Sequence, residues 1–158
     1  MAELSGVDVE NYTQGRLHRD DPETIRLLAA SLAAARRFCG WHVTPVVTGA
    51  VVTLDGPASS LLVLPTLRLV ELTAAVDDGT TVDVADLHVS ARGLVRKASG
   101  GNWSQHYGGV VVTMTHGFTT APDFDAAVLA YLDRASMIST GGRPLVIGPF
   151  QFPNETRK

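Results

Sequence analysis

Apolar residues recur at steps of three and four in two segments of the chain, and in alternation or short runs between them. Ile25, Leu28, Leu32, Ala35 and Cys39 share one helical face, which predicts a helix over 22–39, roughly 27 Å long. Its ends are marked. Asp21 suits the N-cap, Pro22 the first helical position, and Glu23 places negative charge at the positive end of the dipole. Gly40 is a natural stop. Ala29, Ala30, Ala33 and Ala34 flank the face. They supply helix propensity or permit a close approach by another helix or subunit. A second stripe, Phe124, Ala127, Val128, Tyr131, Leu132, Ala135 and Ile138, follows Pro122 and ends before Gly141-Gly142.

Between the helices the pattern is that of strands. Val46–Leu54 is rich in Val and Thr, and Asp55-Gly56-Pro57 separates it from Leu61–Leu64, which predicts a hairpin. Alternation resumes over Leu67–Val76, and Asp77-Asp78-Gly79 marks a tight turn into Thr81–Val84. Leu94–Arg96 is a short strand, and Val110–His116 is β-branched almost throughout. Helix, antiparallel strands, helix: the order implies an α+β fold, the two helices packed together with the sheet inserted between them. Residues 1–20 carry no sustained period and are expected as an N-terminal arm. Residues 21–142 then form one domain, and 143–158 an extended C-terminal arm.

Composition narrows the class. The chain has 158 residues, enough for one substantial core. Its formal charge of −3 disfavours a protein that coats DNA. The single cysteine, Cys39, excludes an internal disulfide framework and a cysteine-cluster zinc site. Its place on the apolar helix face predicts a buried, inert thiol. No signal-peptide core opens the chain and no run is long enough to span a membrane. A soluble protein is expected.

Catalytic patterns are missing. There is no G-x-S-x-G, no phosphate-binding G-x-x-x-x-G-K-[ST] and no H-E-x-x-H. Gly100, Gly101, Gly108 and Gly109 precede a strand and no helix, so a dinucleotide site fails on order. His18, His42, His88, His106 and His116 are scattered, and the acidic residues fall at turns and helix ends. No catalytic residue, metal or cofactor is expected.

Several stretches point to a family. They are Tyr12-Thr13-Gln14-Gly15-Arg16-Leu17, Asp20-Asp21-Pro22-Glu23-Thr24, and Arg36-Arg37-Phe38-Cys39-Gly40-Trp41-His42-Val43-Thr44-Pro45. Further on come Leu54-Asp55-Gly56-Pro57, Leu64-Pro65-Thr66-Leu67, Gly93-Leu94-Val95-Arg96, Trp103, Val110–Thr113, Thr115–Phe118 and Ile147-Gly148-Pro149-Phe150. Together, over about residues 12–152, they resemble the head–tail connector (adaptor) proteins of tailed phages of actinobacteria. The resemblance implies a virion structural protein without enzymatic activity, made in the host cytoplasm and located in the head–tail neck. Such adaptors form a ring, usually twelve-fold, between the portal protein and the stopper or tail. Packaged DNA passes through that ring without sequence-specific binding, which suits a mildly negative chain.

The candidate contact residues are Leu145, Val146, Ile147, Gly148, Pro149, Phe150 and Phe152, with Trp41. The first seven lie in a segment with nothing local to pack against. A segment of this kind can add to a partner's sheet edge, or fold back onto its own sheet. Trp41 covers the junction of helix and sheet or contacts the next subunit. Two alternatives stand beside the adaptor. One is another neck protein, a stopper or tail terminator. The other is a small enzyme built on the Trp103–Tyr107 loop with His106 and His116.

Overall fold

The structure, a computed structural model, describes residues 3–138 and the backbones of 146–147 and 150–151. It is α+β. The chain divides into two compact units: residues 4–35 with 122–158, and residues 1–3 with 36–121.

The first unit holds the helices. The opening residues, expected as irregular, contain a short helix, α1 (Gly6–Tyr12). It begins where the Asp8 carboxylate accepts hydrogen bonds from the Ser5 backbone N–H at 2.8 Å and the Ser5 hydroxyl at 2.7 Å. Those bonds hold the Asp8 carboxyl below its ordinary pKa. Its Val9 is fully buried, and apolar burial stabilises what seven residues could not sustain alone. A Cβ at Gly6 would sit 2.4 Å from the Arg19 carbonyl oxygen, so glycine is what lets this turn close.

The second helix, α2 (Pro22–Cys39), has the predicted bounds. Asp21 accepts from the Glu23 N–H and from the Thr24 hydroxyl, and Gly40 stops the helix at φ +75°. The buried face differs from the expected one. It runs through Thr24, Leu28, Ser31 and Leu32, and Ile25 is exposed. Cys39, expected to be buried, is exposed. Burial ends before the last turn: Phe38, seven residues beyond Ser31 and so on nearly the same face, is 95% exposed. The four flanking alanines are also exposed, so within this chain they serve helix propensity.

The third helix, α3 (Pro122–Ile138), buries Phe124, Val128 and Leu132, and leaves Ala127 and Tyr131 exposed. Arg16 ties the α1–α2 connection to it through Asp133 and through Ser136 at 2.8 Å. Leu32→Ala is expected to cost about 2–5 kcal/mol, because the vacated volume lies in a closed face. Urea denaturation of the isolated protein checks this, and a cost near zero would place Leu32 outside the core.

The second unit holds β1 (Val47–Leu54), β2 (Leu61–Val63), β3 (Leu69–Asp77), β4 (Thr80–Val82), β5 (Leu87–Val89), β6 (Leu94–Lys97) and β7 (Val110–His116). They form two antiparallel sheets, ordered β1-β7-β3-β4 and β2-β6-β5. The central β7 buries alternate residues, Val110, Val112, Met114 and His116, as period two requires. Val110, Val112 and Met114 join Leu62, Leu64, Leu72, Val95 and Trp103 in one core.

The Asp77-Asp78-Gly79 hairpin forms as expected. Asp78 and Gly79 both have positive φ, and Asp77 pairs with Thr80. The expected β1–β2 hairpin does not form. Val47–Leu54 pairs with β7, and Leu61–Val63 pairs with β6. Asp55-Gly56 is engaged by a different loop: Asp55 accepts from the Gly108 N–H at 2.8 Å, and the Gly56 N–H donates to the His106 carbonyl. Two-residue strands β8 (Val146–Ile147) and β9 (Phe150–Gln151) pair with one another antiparallel. Otherwise the expected arm, 143–158, lies outside the described residues.

Candidate interaction surface

The histidines do not assemble a reactive centre. Among the described residues no group of three or more His, Cys, Asp or Glu could hold a metal ion. His106 lies 3.0 Å from Asp78 at the Val110 end of β7, while His116 closes the other end of that strand, roughly 20 Å away at strand rise. Trp103 is buried in the core beneath Lys97, whose ammonium sits 4.9 Å from its ring centroid. The loop that offered the best enzyme reading therefore has a structural role at Trp103 and no route to His116.

What the sheet unit does build is a junction at the end of α2. The half-buried Trp41 meets Phe118 edge-to-face at 5.8 Å, and the Arg68 guanidinium lies over the Phe118 ring. Beneath them the Phe118 N–H donates to the Val43 carbonyl, and the Gly117 N–H to the Arg68 carbonyl. The Thr44–Pro45 peptide is cis. A ring nitrogen of His42 sits 2.6 Å from the Pro45 carbonyl oxygen, and Arg36 donates to the Thr44 carbonyl while pairing with Glu3.

His116, only 6% exposed, stacks edge-on with His42 at 5.8 Å. Burial, and then the charge on His42, lower its pKa below 6.5. The unfolded chain therefore takes up the proton first. Stability present above pH 6.5 is lost as pH falls through the lowered folded pKa. Urea midpoints at pH 7.5 and 5.5 are expected to differ less in His116→Gln than in the wild type. An unchanged difference would mean that His116 does not titrate on unfolding.

Beside this junction is an apolar groove of about 390 Å³. Its floor is the outward face of the β2–β6 pair, where Val63 and Leu94 are cross-strand partners with exposed side chains. One wall is Cys39, Gly40 and Trp41, and the other is Pro65 to Leu67. Val63 and Leu67 are 60% and 62% exposed. A solvated strand face is ordinarily polar, yet here Leu61, Val63 and Leu94 stand on the outward face beside Arg96, while Leu62 and Val95 fill the core from the other side. Exposed apolar surface of this kind marks a contact site.

Of the sequence-predicted contact residues, Trp41 lines this groove. Leu145, Val146, Ile147, Gly148, Pro149, Phe150 and Phe152 lie outside the described residues except for the backbones of the strand pair. The sequence reading missed Val63, Leu67 and Leu94. The available signal was that Leu61–Leu64 has no polar alternate positions.

No protein-family model matches the chain, and no curated protein does. Solved structures do: two are of the neck and one of the virion of a gene transfer agent particle. A chain in the neck of a native gene transfer agent particle, computed with C12 symmetry, superposes with a TM-score of 0.64 at 16% identity, covering 95% of this chain and 87% of that one. A chain in the neck of the empty particle, computed with C6 symmetry, gives 0.62 at 16% identity over 93% and 87%. A chain in the virion of the native particle gives 0.65 at 16% identity over 93% and 84%. At this identity the likeness is one of fold.

Proposed function

We propose that this chain is a virion structural protein of a phage-type neck: a head-to-tail adaptor, of the kind found in siphophages of actinobacteria. It forms a homo-oligomeric ring between the portal protein and the stopper or tail. The observation that carries this reading is the fold, shared over 95% of the chain with a neck protein of a C12-computed particle. The sequence stretches named above point the same way. In a twelve-fold ring the contacts are heterologous, one surface of each copy meeting a different surface of the next. The net charge of −3 lets DNA traverse the channel without adhering. No catalytic step is part of this role.

The test is assembly. Purified protein mixed with its portal is expected to give portal-capped rings in negative-stain images, and particles lacking the gene are expected to be filled heads without tails. A chain that leaves portal bare, in particles that still acquire tails, would overturn the reading. Leu145, Val146, Ile147, Gly148, Pro149, Phe150 and Phe152, with Trp41, are the contact residues of this proposal. Trp41→Ala is expected to fold, because Trp41 is only half-buried, and to incorporate poorly into particles. Loss of folding in the isolated variant would instead assign Trp41 to the junction alone.

A further inference from the structure

We infer that Tyr107, at the tip of the 103–109 loop, is the side chain that one copy of this chain seats in the apolar groove beside Trp41 of the next copy. The inference rests on the ring reading above and names the two surfaces that meet in it. Three observations support it.

The first is how the loop is held. On one side the Gly56 N–H donates to the His106 carbonyl, the Ala58 N–H to the Ser104 carbonyl and the Gly108 N–H to the Asp55 carboxylate. On the other, the Ser104 N–H donates to Asp77 at 3.0 Å and the Asp78 N–H to the Gly109 carbonyl at 2.7 Å. The backbone is thus fastened along both flanks, yet Tyr107 is 93% exposed. An aromatic ring presented on an ordered loop loses little conformational freedom when a partner covers it. Tyrosine is also among the residues that dominate interface energies.

The second is position. Tyr107 lies just before Val110, where β7 begins, and Trp41 meets Phe118 just past His116, where β7 ends. The strand holds them roughly 20 Å apart, so ring and groove of one copy do not meet. A knob and a hole at opposite ends of one unit suit a head-to-tail contact, the kind that closes into rings. The third is charge. Asp78 lies 3.0 Å from His106, and Asp55 accepts from Gly108, so carboxylates are bonded to the residues before and after Tyr107. The charged residue lining the groove is Arg92, and Arg68 lies over Phe118 beside Trp41. An apolar ring between carboxylates complements an apolar groove rimmed by guanidinium groups.

The experiment uses the full chain assembled on portal, with Gln105→Cys added to the native Cys39. Gln105 is an exposed loop residue, and Cys39 is the sole cysteine, exposed, in the groove wall. A bis-maleimide with a spacer well short of the strand length is expected to link copies into a ladder of dimers and higher species on denaturing gels. Cys39 alone, or Gln105→Cys in a Cys39→Ser chain, should give no ladder. Tyr107→Ala is expected to keep the urea midpoint, because an exposed ring supports no fold, and to lose the ladder. Tyr107→Phe, which keeps the apolar ring, should retain it, and Arg92→Glu should lower its yield.

Rings that form without a ladder, or with a ladder indifferent to Tyr107→Ala, would overturn this contact and leave the ring reading standing. So would a ladder that arises only when residues 143–158 are deleted, which would give the groove to the tail. A chain that stays monomeric with portal present overturns both readings.

Discussion

Deleting residues 143–158 is expected to leave a folded protein that no longer supports particle assembly. The folding half of this expectation follows from where burial lies. Among the described residues, the buried side chains of the helical unit are on α1, α2 and α3, and those of the strand unit fall between Val43 and Ala121. Every sheet of the strand unit is complete without the tail. Removing the segment should therefore change the urea midpoint little, since terminal segments outside the core contribute little to stability. The assembly half follows from the five large apolar side chains the deletion removes. In the proposed ring these contacts would act once per copy, so their loss would be multiplied around it. Complementation of a gene-deleted phage measures the outcome: infectious particles should be absent, with filled heads accumulating. Normal titres would exclude the segment from assembly. A chain that no longer folds would mean that the tail belongs to the fold of its own subunit.

The sequence made the helices legible because their signals are local. Asp21, Pro22 and Gly40 mark α2 within a residue of its ends, and the Phe124–Val128–Leu132 spacing marks α3. The turn at Asp78-Gly79 was readable for the same reason: the conformation it needs is set by its own two residues. Strand partners were not local. Asp55-Gly56-Pro57 has the composition of a hairpin loop, but Gly56 serves a close approach, since a Cβ there would meet the Ser104 carbonyl oxygen at 2.2 Å. Only the three-dimensional pairing of β2 with β6 shows that Val63 and Leu94 share an outward face, so the groove could not be read in advance. Cys39 was misplaced because apolarity at positions 25, 28, 32, 35 and 39 marks a face but not where along the helix its cover ends, and burial stops after Leu32, with Ala35 half-buried and Cys39 exposed. The short α1 left one signal, the Ser5-x-x-Asp8 spacing.

Gly93→Ala is expected to be among the most destabilising single substitutions in the chain, and it reaches the groove as well. Gly93 has φ +78°, a region that costs an alanine roughly 1–2 kcal/mol. A Cβ there would lie 2.6 Å from the Thr66 carbonyl oxygen and 3.3 Å from the Leu64 Cβ. The first contact is with backbone, so no rotamer change relieves it. Two hydrogen bonds pass through the same residue: its N–H donates to the Ser90 carbonyl and its carbonyl accepts from the Leu64 N–H, at 2.9 and 2.8 Å. Relieving the clash must move either the turn that starts β6 or the Leu64–Thr66 segment, and Leu64 is in the core. Strain and displacement together should exceed the ~0.5–3 kcal/mol of ordinary substitutions. Gly101→Ala is the matched control, because its φ is not positive and its nearest neighbour, the Ser99 Oγ, is 3.5 Å away. Paired urea titrations are expected to show Gly101→Ala close to wild type and Gly93→Ala with a much lower midpoint. Since Pro65 to Leu67 forms one wall of the groove, folded Gly93→Ala should also assemble poorly. Equal midpoints for the two variants would mean that the 64–66 segment yields freely, and that the groove has no rigid wall on that side.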